Sequence, residues 1–115
     1  MRIYVAKTLE NMKKFGPIYD LTMESMDRVT SYTFGEDINE WFLEHYVDRI
    51  NAECDTLLDD GDYDYFDYEK CKKLLGLLKG EDISSLPGEV QDVFKILKES
   101  ASEVINNHTG IAIEM

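Results

Sequence analysis

The chain has 115 residues, of which 43% are hydrophobic and 11% aromatic, with 24 acidic side chains against 12 basic ones and a net charge of −12. That content supplies a core and excludes a disordered chain, while so anionic a protein is repelled by DNA, RNA and anionic membrane surfaces. No apolar run approaches the ~20 residues of a membrane span, and the length suits one globular domain over residues 1–115.

The first residues, Met-Arg-Ile-Tyr-Val-Ala-Lys, carry charge at once and hold no apolar signal core, which predicts a cytoplasmic protein. Cys54 and Cys71 fit that compartment as free, buried thiols. Ile3 to Ala6 is apolar on both faces and reads as a buried strand. Thr8 is placed to cap a short helix carrying Leu9, Met12 and Phe15, stopped by Gly16 and Pro17. Residues 18–33 fit two patterns. Tyr19, Met23, Met26 and Val29 suit a helix, whereas Val29 to Phe34 suits an extended segment. Gly35 ends either one.

The spacing then predicts a long helix from about Asp37 to Leu58, with Ile38, Phe42, Tyr46, Ile50, Cys54 and Leu57 on one stripe, flanked by Trp41 and Val47. Asp59 to Phe66 reads as a polar connection. Asp67 caps a helix that turns Cys71, Leu74, Leu75 and Leu78 inward and ends at Gly80. Ser85 and Pro87 open a last helix, with Val90, Val93, Phe94, Leu97, Ala101, Val104 and Ile105 at helical spacing. Ile111 to Ile113 is a terminal strand. Lone strands at the two ends are stable only if paired and covered. The expected fold is therefore helix-dominated α/β (α+β), a short sheet of the N- and C-terminal strands packed by about four to five helices.

Charge is concentrated in one block. Residues 36–69 hold thirteen acidic side chains and a single base, Arg49, so their sum is −12, against +1 before and −1 after. Glu36, Glu40, Glu44 and Asp48 recur every four residues and form a ridge on the predicted helix. Like charges so spaced cost ~0.2–0.5 kcal/mol per pair. In Asp59, Asp60, Asp62, Tyr63, Asp64, Tyr65 and Asp67, carboxylates mix with tyrosines. If extended, this segment puts Asp62 and Asp64 on one side and Tyr63 and Tyr65 on the other. Carboxylates accept paired hydrogen bonds from Arg and Lys, and Tyr or Trp anchors interfaces. Together with Trp41, these residues form a candidate surface for a basic protein. The plainer alternatives are a solvated helix face and a loop whose tyrosines cover the core edge.

Other chemistry finds no support in the sequence. A calcium loop starting at Asp60 would place Tyr65 where glycine belongs and Cys71 where glutamate belongs. His45 and His108 come with no nucleophile or metal-ligand motif, and His45 with Asp48 is only half of a carboxylate-bridged metal site. The expectation is a protein with no cofactor, no metal and no catalytic activity.

Asp59 to Glu69, the helix from Cys71 to Leu78, and the stretch from Leu86 to the Thr-Gly-Ile-Ala-Ile-Glu ending carry a resemblance. They are similar in style to the immunity proteins of bacterial polymorphic toxin systems, including contact-dependent growth inhibition. The resemblance implies a role rather than particular residues: binding a cognate toxin, often a nuclease, and blocking it. The expected function is thus a non-enzymatic immunity protein that neutralises a basic toxin. The alternative is an acidic adaptor or nucleic-acid mimic that regulates a DNA- or RNA-binding protein. A small metal-dependent enzyme centred on His45 stands third.

Overall fold

The computed structural model describes residues 1–115, and in it the two chain ends form the middle of a sheet. Strand β1 (Arg2–Ala6) pairs antiparallel with β6 (Ile111–Glu114), with Ile3 opposite Ile113 and Val5 opposite Ile111. Strand β4 (Val29–Thr33) lies outside β1, and β5 (Tyr63–Phe66) lies outside β6, giving the order β4-β1-β6-β5. All neighbours are antiparallel. A separate hairpin joins β2 (Lys14–Phe15) to β3 (Ile18–Tyr19). Four helices complete the α+β fold: α1 (Glu36–His45), α2 (Val47–Cys54), α3 (Tyr68–Lys79) and α4 (Gly88–Asn107).

The apolar strands are buried on both sides, as their composition requires. Strand side chains alternate between faces. Ile3, Val5, Phe66, Ile111 and Ile113 point into the main core with the helices, including Phe42, Ile50, Leu74, Leu78, Phe94 and Leu97. Tyr4, Ala6, Tyr65 and Ala112 point the other way into a smaller core closed by Met12 and Leu21. The cover of that second face comes from residues 7–28.

Those residues depart from the predicted short helix. Only one turn forms, with the Met12 amide donating to the Leu9 carbonyl. The Thr8 hydroxyl instead accepts from the Glu10 amide, a local bond that competes with helix formation. Asn11 is left-handed (φ 56°), which ends the turn. Gly16, with φ 59°, makes the β2–β3 turn rather than a helix stop.

The long helix predicted from Asp37 to Leu58 is likewise two helices. The backbone leaves helical geometry at Tyr46 (φ −139°, ψ −28°), where the ring is wedged 4.9 Å from Phe94 and 6.2 Å from Phe42. Helix α2 then ends at Cys54, because Asp55 is left-handed (φ 56°). Asp67 caps α3 as the sequence indicates, its carboxylate accepting from the Lys70 amide at 2.9 Å. No helix is long and apolar enough to cross a membrane.

Cys54 and Cys71 are free thiols within the main core. Burial pushes Cys54 up to about 11 and Cys71 up to about 12, from an ordinary thiol value of 9.0. Burial also raises the Tyr63 phenol to about 12. Each group holds its proton more tightly folded than unfolded, so the protonated forms favour folding. That contribution is whole below pH 9.0 for the thiols and is lost as pH climbs through 11 and 12. We expect the urea midpoint to fall steadily above pH 9.0, with a shallower fall in Cys71→Ala after correction for its lower starting stability. A flat midpoint up to pH 12 would contradict the burial of these groups.

Candidate functional site

The acidic block keeps its charge because the fold gives it almost no cations. Among the thirteen carboxylates of residues 36–69, Glu44 has His45 at 3.8 Å and Glu69 has Lys72 at 3.5 Å; no other has an ion-pair partner. Arg49, the one base in the block, turns away and pairs with Glu81 at 2.5 Å. Glu36, Glu40 and Glu44 are exposed along α1. The break at Tyr46 then sets Asp48 onto α2, so the ridge bends rather than running straight. Trp41 is half-buried, packing edge-on to Phe42 at 5.0 Å and against Phe94 at 6.3 Å.

Past α2 the chain makes a turn held from both sides. The Asn51 carboxamide accepts from the Thr56 hydroxyl at 2.8 Å and the Leu58 amide at 2.9 Å, and donates to the Leu58 carbonyl at 2.9 Å. The Asp64 carboxylate accepts from the Leu57 amide at 2.9 Å. These bonds anchor Leu57 on both sides, yet its side chain is 84% exposed. It projects beside a groove of about 520 Å³ lined by Leu43, Val47, Asp48, Asn51, Leu57, Leu58, Asp59 and Asp62. The ridge and the acidic loop thus meet here, around an apolar side chain. No group of three or more His, Cys, Asp or Glu side chains is arranged to hold a metal ion.

The rest of the acidic-aromatic segment divides by role. Asp60 is exposed, its amide bound by the Asp59 carboxylate at 2.8 Å. From Tyr63 on, the segment is strand β5, so Tyr63 and Tyr65 share the face opposite the helices. Tyr65 is buried in the smaller core. The Tyr63 hydroxyl donates to the Tyr19 carbonyl at 2.6 Å and accepts from the Leu21 amide at 3.0 Å, fastening the 7–28 cover to the sheet. Tyr63 also borders a second hollow of about 260 Å³ with Phe15 and Ile18. Asp64 and Asp67 are committed to the Leu57 turn and the α3 cap. Of the residues singled out from sequence, the groove therefore gathers Asp48, Asp59 and Asp62. Glu36, Glu40, Glu44 and Asp60 are exposed but outside its lining, and Tyr63, Tyr65 and Trp41 turn inward.

Two residues here escaped the sequence pattern. Leu57 fits the helical stripe and was expected inside, but α2 stops three residues before it. Asn51 falls within the predicted helix as one of its polar positions. The Asp55-Thr56 pair after Cys54 is the available signal, since both types favour local turn bonds over helix. No protein family, curated protein or solved structure matches this chain.

Two measurements test this arrangement. Tyr65→Phe removes a buried hydroxyl with no partner, so stability should hold or rise, whereas Tyr63→Phe should cost ~1–2 kcal/mol by losing two hydrogen bonds. Equal losses in urea titrations would contradict these assignments. Separately, Glu40→Lys replaces two repulsive spacings on α1 by attractive ones and should stabilise by ~0.5–1 kcal/mol. The gain should shrink at high salt, as the parent protein itself becomes more stable.

Proposed function

We propose that this chain is a non-enzymatic, cytoplasmic immunity protein that binds and neutralises a cognate basic toxin, a nuclease, through the Leu57 groove and its acidic surround. The observation that carries this reading is Leu57, anchored yet 84% exposed beside Asp48, Asp59 and Asp62. An exposed apolar side chain on a bonded turn supplies a contact with little backbone ordering cost on binding. Carboxylates lacking cations supply long-range attraction for a positive surface and paired acceptors for Arg and Lys. A nuclease cleft is such a surface, because it is built to hold phosphates. The resemblance to polymorphic-toxin immunity proteins points to the same role, and the buried free thiols suit a reducing cytoplasm.

A second reading, a nucleic-acid mimic acting on a DNA- or RNA-binding regulator, draws on the α1 row. Glu36, Glu40 and Glu44 recur every ~6 Å at the rise of an α-helix, a regular line of negative charge. The identity of the partner separates the two.

The test begins with the tagged full chain expressed in its native cell, crosslinked, and the captured partner then purified. The partner should be basic and its nuclease activity should be lost in the complex. Association should slow by about tenfold from low to high salt. Leu57→Ala and the pair Asp48→Asn with Asp62→Asn should each speed dissociation, by ~2 kcal/mol if those groups are desolvated in the complex. A salt-independent association rate, or dissociation unchanged in both variants, would remove the groove from the interface.

A further inference from the structure

We propose that the outer edge of β4 receives an extended, antiparallel strand from the basic partner, which is then held by backbone pairing as well as by charge. This rests on the partner being basic, as argued above.

The register shows which backbone groups are free. Met1 and Phe34 exchange both main-chain bonds, at 3.3 and 2.8 Å, and the Lys7 amide donates to the Arg28 carbonyl at 2.9 Å. In an antiparallel pair, bonded positions alternate with non-bonded ones. Ile3–Tyr32 and Val5–Thr30 are therefore the bonded pairs between, and Val29, Ser31 and Thr33 turn their amides and carbonyls outward. The Val29 amide donates to the Ser25 carbonyl at 3.0 Å. The Ser31 and Thr33 amides have no such partner, and both residues are exposed.

The opposite edge of the sheet is guarded at Tyr65, one of its two outward positions. On β5 the Tyr65 amide, which faces outward by the same parity, donates to the Asp64 carboxylate at 2.9 Å. Natural edge strands are commonly protected by charge, proline or a bulge. Val-Thr-Ser-Tyr-Thr of β4 has none of these, and β1 is its sole partner strand. The cation nearest the edge in sequence, Arg28, is engaged by Glu24 at 3.2 Å and by the Glu10 carbonyl.

Charge selects the occupant. The open stretch, Ser31 to Thr33, leads directly into Glu36 and Asp37 at the start of α1, followed by Glu40. An antiparallel strand there meets these carboxylates with its N-terminal end, where lysine or arginine fits. A second copy of this chain fits poorly, because each copy carries −12 and like net charge opposes the approach.

The test uses amide hydrogen exchange on the full chain, with a synthetic peptide that has a Lys-rich N-terminal end and an alternating Val-Thr body. In the free protein, Ser31 and Thr33 amides should exchange at least about tenfold faster than those of Thr30 and Tyr32. The peptide should slow both by about tenfold or more. The same peptide N-methylated at alternate residues should give no slowing. Ser31→Pro, which removes an outward amide, should abolish the peptide's effect on Thr33, and Thr33→Pro provides a second variant should the first fail to fold. Protection of Ser31 and Thr33 in the free protein, whether constant or rising with its concentration, would overturn the proposal. So would the absence of peptide binding, or binding that slows exchange around Leu57 and Asp62 alone; the last result would leave the groove reading standing. Equal protection by a peptide with Thr in place of Lys would retain strand addition and remove the basic-partner reading.

Discussion

The pairing of the two chain ends constrains everything else in this protein. β1 and β6 are apolar on both faces, and they can be buried only if something covers each side. Helices supply one cover and the 7–28 excursion supplies the other. Because β1 and β6 take the two central places, the other strands of the sheet can lie only at its edges, which is where β4 and β5 are. The return into β6 is tight. Thr109 donates from its hydroxyl to the Ala6 carbonyl at 2.6 Å, and the Gly110 carbonyl accepts from the Ala6 amide at 3.0 Å. A Cβ on Gly110 would collide with the Tyr65 hydroxyl and the Phe66 carbonyl, so this turn admits only glycine without repacking β5.

Much of this was legible where period and punctuation agree. The terminal strands, α3 between Asp67 and Gly80, and α4 after Pro87 all combine a clean apolar pattern with a cap or a stop. Legibility failed where a local bond beat the pattern. Thr8 and Asn11 dissolve the first helix, and Asp55 truncates α2, although apolar spacing continues past both points. β5 was hidden for a different reason. Tyr-Asp-Tyr-Phe looks like a polar loop, yet its alternation is that of an edge strand whose two tyrosines face a second, small core. The apolar pattern of the terminal strands calls for cover on both faces, but it does not tell that residues 7–28 supply the second cover.

The same ambiguity affected the candidate site. That the carboxylates form a concentrated block is visible in the sequence alone, because charge counts need no fold. Which of them share a surface depends on the turn at residues 55–58, whose geometry is set by the Asn51 and Asp64 side chains. Three acidic residues of the segment, Asp59, Asp64 and Asp67, accept from backbone amides, and Tyr63 fastens the 7–28 cover to the sheet. The aspartate-tyrosine alternation thus serves the fold first, with its outer members left for contact.

The distribution of the few cations carries the functional argument furthest. A chain with twelve basic residues could have laced them through the acidic block and relieved its repulsion. Instead Arg49 reaches out to Glu81, Lys70 donates to the Asp55 carbonyl at 3.1 Å, and Lys13 and Lys14 lie over Phe15 and Tyr19 on the far hairpin. The fold bears the uncompensated charge with a well-packed core of isoleucine, leucine and phenylalanine beneath it. Charge left unneutralised in this way weakens the free protein and strengthens its attraction to a positive surface. That attraction is long-ranged and unspecific. Recognition therefore falls to the short-range features placed within the same field: the anchored Leu57 at one end of the acidic surface, and the open backbone of Ser31 and Thr33 beside Glu36 at the other.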